Sequence, residues 1–151
     1  MKIGTLGYLI DGNKILLAMK KRSFGKGWYN GVGGKIKPDE SFEQALSREC
    51  EEEIDVKPLE MEHVADLAFY DSGKLGFLVK VYFINRWERN PNESEEMKPK
   101  WFDKKEIPYD EMWVDDKLWL PEVLKGKKIK GHFWFEGLFT DKKKMINHEI
   151  G

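Results

Sequence analysis

Apolar and polar positions divide the 151-residue chain into short alternating runs and two segments of helical period. The runs IGTLGYLI (3–10) and ILLAMKK (15–21) flank DGNK, which predicts two strands joined by a tight turn with Gly12 at positive φ. Residues 21–31, KRSFGKGWYNG, read as a glycine-rich loop carrying Phe24, Trp28 and Tyr29, followed by a short strand around Val32 that leads into GGK. A helix is predicted from Ser41 to Ile54: Pro38 holds back its start, and Ser41 with Gln44 has the spacing of a capping box. Residues 59–71 and 75–85 form a long hairpin around DSGK, and KPKWFDKKEI gives a further strand and turn. DDKLWLPEVLKG reads as a second helix stopped at Gly126, and IKGHFWFEGLF as the last strand. The predicted order β-β-β-α-β-β-β-α-β implies an α/β (α+β) fold, a mixed β-sheet with helices packed on its faces.

Helix 41–54 breaks the ordinary rule of amphipathicity. At about 100° per residue, Phe42, Ala45 and Leu46 define an apolar stripe, yet Glu49 and Glu53 fall within it and Glu52 on its edge. Between Asp39 and Asp55 the chain carries eight carboxylates and a single base, Arg48. A solvated charge run accounts for Glu43 and Glu51. It does not account for like charges crowding one face near a helix C-terminus, where both neighbours and dipole oppose them. Oxygen ligands gathered for a hard divalent cation account for the cluster better.

Elsewhere the totals exclude more than they assign. Twenty-six bases against 27 acids leave a net charge of −1, which argues against a protein built to grip nucleic acid, although 125–130 and 142–144 are basic. The apolar fraction of 40% fits one folded domain spanning 1–151. Cys50 is the single cysteine, so there is no internal disulfide, in keeping with a reducing compartment. Neither a signal peptide nor a membrane span is predicted, and the default is a soluble cytoplasmic protein.

Read with its spacing, the acidic segment is Gly34, five residues, Glu40, seven residues, Arg48-Glu49-Cys50, one residue, Glu52-Glu53, one residue, Asp55-Val56. This resembles the Nudix box, G-x5-E-x7-R-E-U-x-E-E-x-G-U with U a bulky apolar residue. Every polar position matches; Asp55 stands where the family has glycine, and Cys50 is a modest apolar residue. The segments MKKRSFGKGWYNGVGGK, ESEEMKPKWF and MWVDDKLWLPEVLKGKKIKGHFWFE extend the similarity to the subgroup hydrolysing oxidised purine nucleoside triphosphates.

The resemblance implies a Nudix fold and attack of water on a nucleoside triphosphate such as 8-oxo-dGTP, with Mg²⁺ (or Mn²⁺) as cofactor, giving monophosphate and pyrophosphate. It implies metal ligands at Glu49, Glu52, Glu53, the Gly34 carbonyl and Glu96; Glu53 as general base with Glu52 second; Arg48 orienting the glutamates; and Glu40 bracing the loop. Lys20 and Lys35 contact phosphates, with Val32, Gly33 and Gly34 in the same substrate-binding stretch. Asn30, Asp115 and Asp116 face the purine edge, Phe24, Phe69, Met97 and Trp113 sandwich the base, and Thr5 sits at the pocket floor. A plainer reading stands beside several of these. Glu96 reads equally as a surface acid, the lysines as solvated charge, Asp115-Asp116 as the N-cap of the second helix, and Trp101, Trp119 and Trp134 as core. The protein is expected to be a monomer that binds neither nucleic acid nor membrane. Rival functions are a Nudix pyrophosphatase for another diphosphate such as ADP-ribose, which MWVDD disfavours, or a nucleotide-binding module without catalysis.

Overall fold

The computed structural model describes residues 1–140 and 143–151; Lys142 of the basic 142–144 run lies outside the described residues. Four strands come first: β1 (Lys2–Asp11), β2 (Lys14–Lys20), β3 (Tyr29–Asn30) and β4 (Val32–Lys35). Helix α1 (Phe42–Ile54) leads to β5 (Lys57–Asp71), β6 (Lys74–Glu88) and β7 (Met97–Asp103). A 3₁₀ turn at Tyr109–Glu111, helix α2 (Asp116–Leu124), β8 (Ile129–Glu136) and β9 (Lys144–Ile150) complete the order.

The sheet is mixed: β1 runs parallel to β6 and β5 parallel to β8, while the β5–β6 and β1–β4 pairs are antiparallel. Its two faces follow from the period-2 alternation of side chains. Tyr8, Ile15, Leu17, Val81, Phe133 and Phe135 turn to one face and pack with Trp119, Leu120 and Val123 of α2. Leu9, Leu16, Ala18, Tyr82 and Ile84 turn to the other and meet Leu46, Cys50 and Ile54 of α1. The sheet is therefore sandwiched between the helices, as its sequence order implied.

Three elements differ from expectation: Tyr29 and Asn30, read as the end of the glycine-rich loop, pair antiparallel with β2 as strand β3. The last predicted strand ends at Glu136, because Gly137 takes φ 66° and turns Leu138 and Phe139 away from the ladder. The segment KMINHEI, unassigned by pattern, pairs antiparallel with β8 from Gly131↔Ile150 to Glu136↔Lys144. Its mixed polarity carries little signal, since an edge strand is held by its neighbour's backbone more than by burial.

Helix α1 carries the predicted capping box: Gln44 N–H donates to Ser41 Oγ at 3.0 Å, and Ser41 N–H to Gln44 Oε1 at 2.8 Å. It ends at Asp55, which adopts the left-handed conformation (φ 57°, ψ 38°) that the glycine of the resembled motif permits. Arg89 supports the substitution, its Nε donating to the Asp55 carbonyl at 3.2 Å and lying 3.3 Å from the carboxylate. Alanine has no polar side chain to offset left-handed strain, so Asp55→Ala is expected to cost about 1–2 kcal/mol in urea unfolding, and Asp55→Gly less than that.

Candidate active site

Helix α1 packs against β4, and the join is made by glycines. Gly33 pairs with Leu6 and Gly34 with Thr5 across the β1–β4 ladder. A Cβ on Gly33 would lie 1.9 Å from the Thr5 carbonyl oxygen, and one on Gly34 2.8 Å from Glu49 Oε1. No side chain fits at Gly33, where the clash is with backbone, and a side chain at Gly34 would displace the Glu49 carboxylate, which rests directly against the Gly34 backbone.

Arg48 organises the surroundings. Its guanidinium grips Glu40 with two bonds (Nε–Oε2 2.7 Å, Nη2–Oε1 2.9 Å) and donates to Glu49 Oε1 at 2.8 Å and to the Lys35 carbonyl at 3.2 Å. Glu40 also accepts the Lys37 N–H at 2.7 Å, tying the 36–40 loop to the helix. The Arg48 bonds, then the Lys37 bond, hold the Glu40 carboxyl down at about 2. This is a loop brace of the kind expected for Glu40.

Glu53 is in the opposite electrostatic condition. Its Oε2 is buried and has no hydrogen-bond partner among the described residues. Burial first, then the neighbouring Glu49, push its carboxyl up to about 9, against a small opposing pull from Lys20. The apolar stripe of α1 is centred on Leu46, Cys50 and Ile54, not on Phe42, so Glu49 and Glu53 lie on its flank beside β4 and are half-sheltered there.

The other expected metal ligands point elsewhere. Glu52 is largely exposed, 3.5 Å from Arg48, and Glu96 pairs with Arg22 (Nε–Oε1 2.8 Å). Among the described residues no three acidic, histidine or cysteine side chains converge on one point. What the structure assembles is the pair Glu49–Glu53 over the Gly34 hollow. A buried, unpartnered carboxylate oxygen beside a second carboxylate is an uncompensated arrangement that a hard divalent cation fits.

A cavity of about 520 Å³ runs from this pair into the protein. Thr5, Lys20, Phe24, Asn30, Gly33, Gly34, Lys35, Phe69, Met97, Trp113, Asp115 and Asp116 line it, together with Glu49 and Glu53. Val32 does not: it is fully buried in the α1-side core, so its side chain cannot contact a ligand in the cavity. Phe24 and Trp113 meet edge to face at 5.3 Å, with Lys143 Nζ 5.1 Å and 4.5 Å from their ring centres. Lys2, Trp28, Phe77, Val79, Leu138 and Phe139 also line the cavity. None of these was singled out as a pocket residue from the chain alone, because nothing local distinguishes a pocket wall from ordinary strand packing.

At the far end, Asp115 and Asp116 are almost wholly buried, 2% and 3% exposed. The N-cap expectation fails: Asp115 stands at the cap position in helical conformation (φ −74°, ψ −26°) without a side-chain capping bond. Its Oδ2 instead accepts from Trp119 Nε1 at 2.9 Å, leaving Asp115 Oδ1 and Asp116 Oδ2 without hydrogen-bond partners among the described residues. Burial raises Asp115 to about 6, and burial together with the Asp115 charge raises Asp116 well above the carboxylate range. Both carboxyls are thus pushed toward the protonated form, and a protonated carboxyl beside a carboxylate presents a donor as well as acceptors. Trp119, expected as plain core, is buried but supports this pair. Trp134 is not core: it is half-buried on the α1-side sheet face, stacked on Tyr70 at 4.9 Å. Trp101 is likewise half-buried, beside Trp87.

The family model for the NUDIX domain matches residues 2–123. The chain belongs to the Nudix family. Its acidic helix and glycine-rich β4 are thus the Nudix motif in three dimensions. Among curated relatives, the chain is 39% identical over 137 residues to the oxidized purine nucleoside triphosphate hydrolase of Danio rerio, covering 90% of this chain and 88% of that protein. It is 36% identical over 136 residues to the Mus musculus protein of the same name, covering 89% and 87%. Among solved structures, a MutT protein of Bacillus halodurans superposes with a TM-score of 0.84 at 23% identity, over 99% of this chain and 97% of that one. The Nudix domain of Shewanella oneidensis NrtR in complex with ADP ribose superposes with a TM-score of 0.66 at 20% identity, over 83% and 87%. At these identities the two structures establish the shared Nudix fold alone.

Proposed function

We propose that this Nudix protein is a divalent-metal-dependent hydrolase, with Mg²⁺ or Mn²⁺ as the cation, that converts oxidised purine (deoxy)nucleoside triphosphates such as 8-oxo-dGTP to monophosphate and pyrophosphate. The observation that carries this reading is a single cavity with two chemically different ends. One end presents the half-sheltered carboxylate pair Glu49–Glu53 with Lys20 and Lys35, suited to a metal-bound phosphate chain; the other presents Asn30 and the buried Asp115–Asp116 pair among aromatic rings, suited to a purine edge. The names of the relatives in zebrafish and mouse support the same substrate class.

Glu49 and Glu53 would hold the cation, joined by the Gly34 carbonyl and by Glu52 and Glu96 once those side chains leave their arginines. Bound there, the cation would neutralise phosphate charge and make water more acidic, easing its attack. The chain's own residues do the rest. Arg48 fixes the Glu49 carboxylate, with Glu40 as its counterweight. Lys20 and Lys35 pair with phosphate oxygens. Glu53 receives the proton of the attacking water, with Glu52 second in line; it must first surrender its own, which a neighbouring positive charge favours. Trp113, Phe24, Phe69 and Met97 enclose the base, and Thr5 lies at the floor.

The same reading takes residues 1–151 as one domain, a cytoplasmic monomer acting on free nucleotides and not gripping nucleic acid. Net charge −1 supports the last point, and among the described residues no helix is long and apolar enough to cross a membrane. A pyrophosphate-release assay with Mg²⁺ on 8-oxo-dGTP, dGTP, dATP and ADP-ribose tests the proposal. Preference for the oxidised purine is expected. Turnover of ADP-ribose alone would overturn the assignment of the base end, and turnover of none would leave a binding module.

A further inference from the structure

Beneath the base end lies a residue that neither the motif nor the relatives' names point to. Tyr8 of β1 is 0% exposed, yet its hydroxyl is polar and must find a partner. It donates to Asn30 Oδ1 at 3.3 Å. The same oxygen accepts the Gly31 N–H at 2.8 Å. A backbone N–H can only donate, so the Asn30 atom facing it is the oxygen and not the nitrogen. With two donors on it, Oδ1 has both lone pairs engaged, and the Nδ2 group has no partner among the described residues. Gly31 permits this approach because a Cβ there would lie 2.9 Å from the Tyr8 ring and 2.8 Å from the Gly7 carbonyl. Tyr8 also packs edgewise on Trp119 at 6.2 Å, the residue that donates to Asp115. Both recognition groups thus rest on one buried aromatic layer.

We propose that Tyr8 is a specificity-positioning residue. By filling the second acceptor site of Asn30 Oδ1, it leaves Asn30 only N–H donors to present and holds them aimed at the cavity. The base edge opposite Asn30 must then offer an acceptor, which selects a 6-oxo purine over a 6-amino purine at that position. An amide turned the other way would set its NH₂ against the Gly31 N–H, so the preference cannot be relaxed by a simple flip.

This rests on the purine triphosphatase reading above, and the experiment separates the two. Steady-state kcat and KM are measured for 8-oxo-dGTP and 8-oxo-dATP with the wild-type protein, Tyr8→Phe and Asn30→Asp. The wild type is expected to favour the 6-oxo substrate. In Tyr8→Phe the ratio of kcat/KM values should fall about three- to tenfold, carried by a higher KM for 8-oxo-dGTP with kcat held. Because both substrates are assayed on one preparation, any loss of folded protein cancels in the ratio. Asn30→Asp keeps the acceptor for Tyr8 and Gly31 but removes the donors, and should abolish the 6-oxo preference. An unchanged ratio in Tyr8→Phe, or a full 6-oxo preference in Asn30→Asp, overturns the assignment of Tyr8 while leaving the enzyme reading intact. A wild-type protein that hydrolyses neither nucleotide removes the enzyme reading and this inference with it.

Discussion

Glu53→Gln is expected to lower kcat for pyrophosphate release about 10²- to 10⁴-fold, the range for removal of a positioned general base. Glutamine preserves the shape of the side chain and leaves Glu49, Arg48 and Glu40 in place, so nucleotide binding should persist when measured by calorimetry. A second consequence separates this variant from a merely damaged one. The Glu53 carboxyl sits at about 9 in the folded chain against an ordinary 4.5, so the folded state binds that proton more tightly than the unfolded state. Stability from this group is complete below about pH 4.5 and is lost as pH rises through about 9. Glutamine has no proton to lose. The metal-free variant should therefore lose less melting temperature between pH 6 and pH 9 than the metal-free wild type does. Mg²⁺ or Mn²⁺ should raise the wild-type melting temperature, and the variant's less, because one of two ligating carboxylates is gone. A variant that lost activity and also melted earlier at every pH would contradict this account of Glu53.

Asp116→Asn is expected to have the other large effect, on discrimination. The Asp115–Asp116 pair is buried and incompletely hydrogen-bonded, and a base edge that completes those bonds gains what other bases forfeit. Converting one member to an amide removes the exchangeable proton and is expected to reduce the preference for 8-oxo-dGTP over dGTP by about 10- to 100-fold, one bidentate contact's worth. Both carboxyls are raised by burial, so this pair too opposes folding once it ionises, and the cost grows as pH rises through about 6, where Asp115 gives up its proton. Asp116 is itself held well above the carboxylate range, a penalty that asparagine does not carry, so Asp116→Asn should melt higher than wild type at pH 7 while discriminating worse, a trade of function for stability. In the wild type, the KM for 8-oxo-dGTP should rise as pH falls below about 6, where Asp115 becomes protonated and ceases to be an acceptor. A flat KM from pH 5 to pH 7 would remove Asp115 from base recognition.

The parts of this protein that were legible in the chain are those that depend on near neighbours. The capping box at Ser41 and Gln44, the turn at Gly12 and the acidic run of α1 are interactions within four or five residues, where spacing settles geometry. The spacing from Gly34 to Glu53 likewise marked out Arg48, Glu49 and Glu53, which meet beside β4, and the left-handed Asp55 fits the chain's substitution for glycine. Pattern even set the two faces of the sheet, because alternate residues of β1 and β2 must part to opposite sides.

What the chain alone left undecided was which way polar side chains turn once distant segments meet. Asp115 and Asp116 look like an N-cap in sequence; only the approach of Trp119 within the helix and of Tyr8 from β1 turns them into a buried, incompletely hydrogen-bonded pair. Glu52 and Glu96 carry the same charge as Glu49 and Glu53, yet Arg48 and Arg22 hold them outward while burial against β4 holds the other pair in. Trp119 and Trp134 share one residue type, but the first is sealed against the cavity and the second stands on an open sheet face. Local spacing determined the family motif and the framework that carries it. Desolvation, set by contacts between residues far apart in the chain, decided which of its charges became a site, because the energy of a carboxylate depends far more on what surrounds it than on what precedes it.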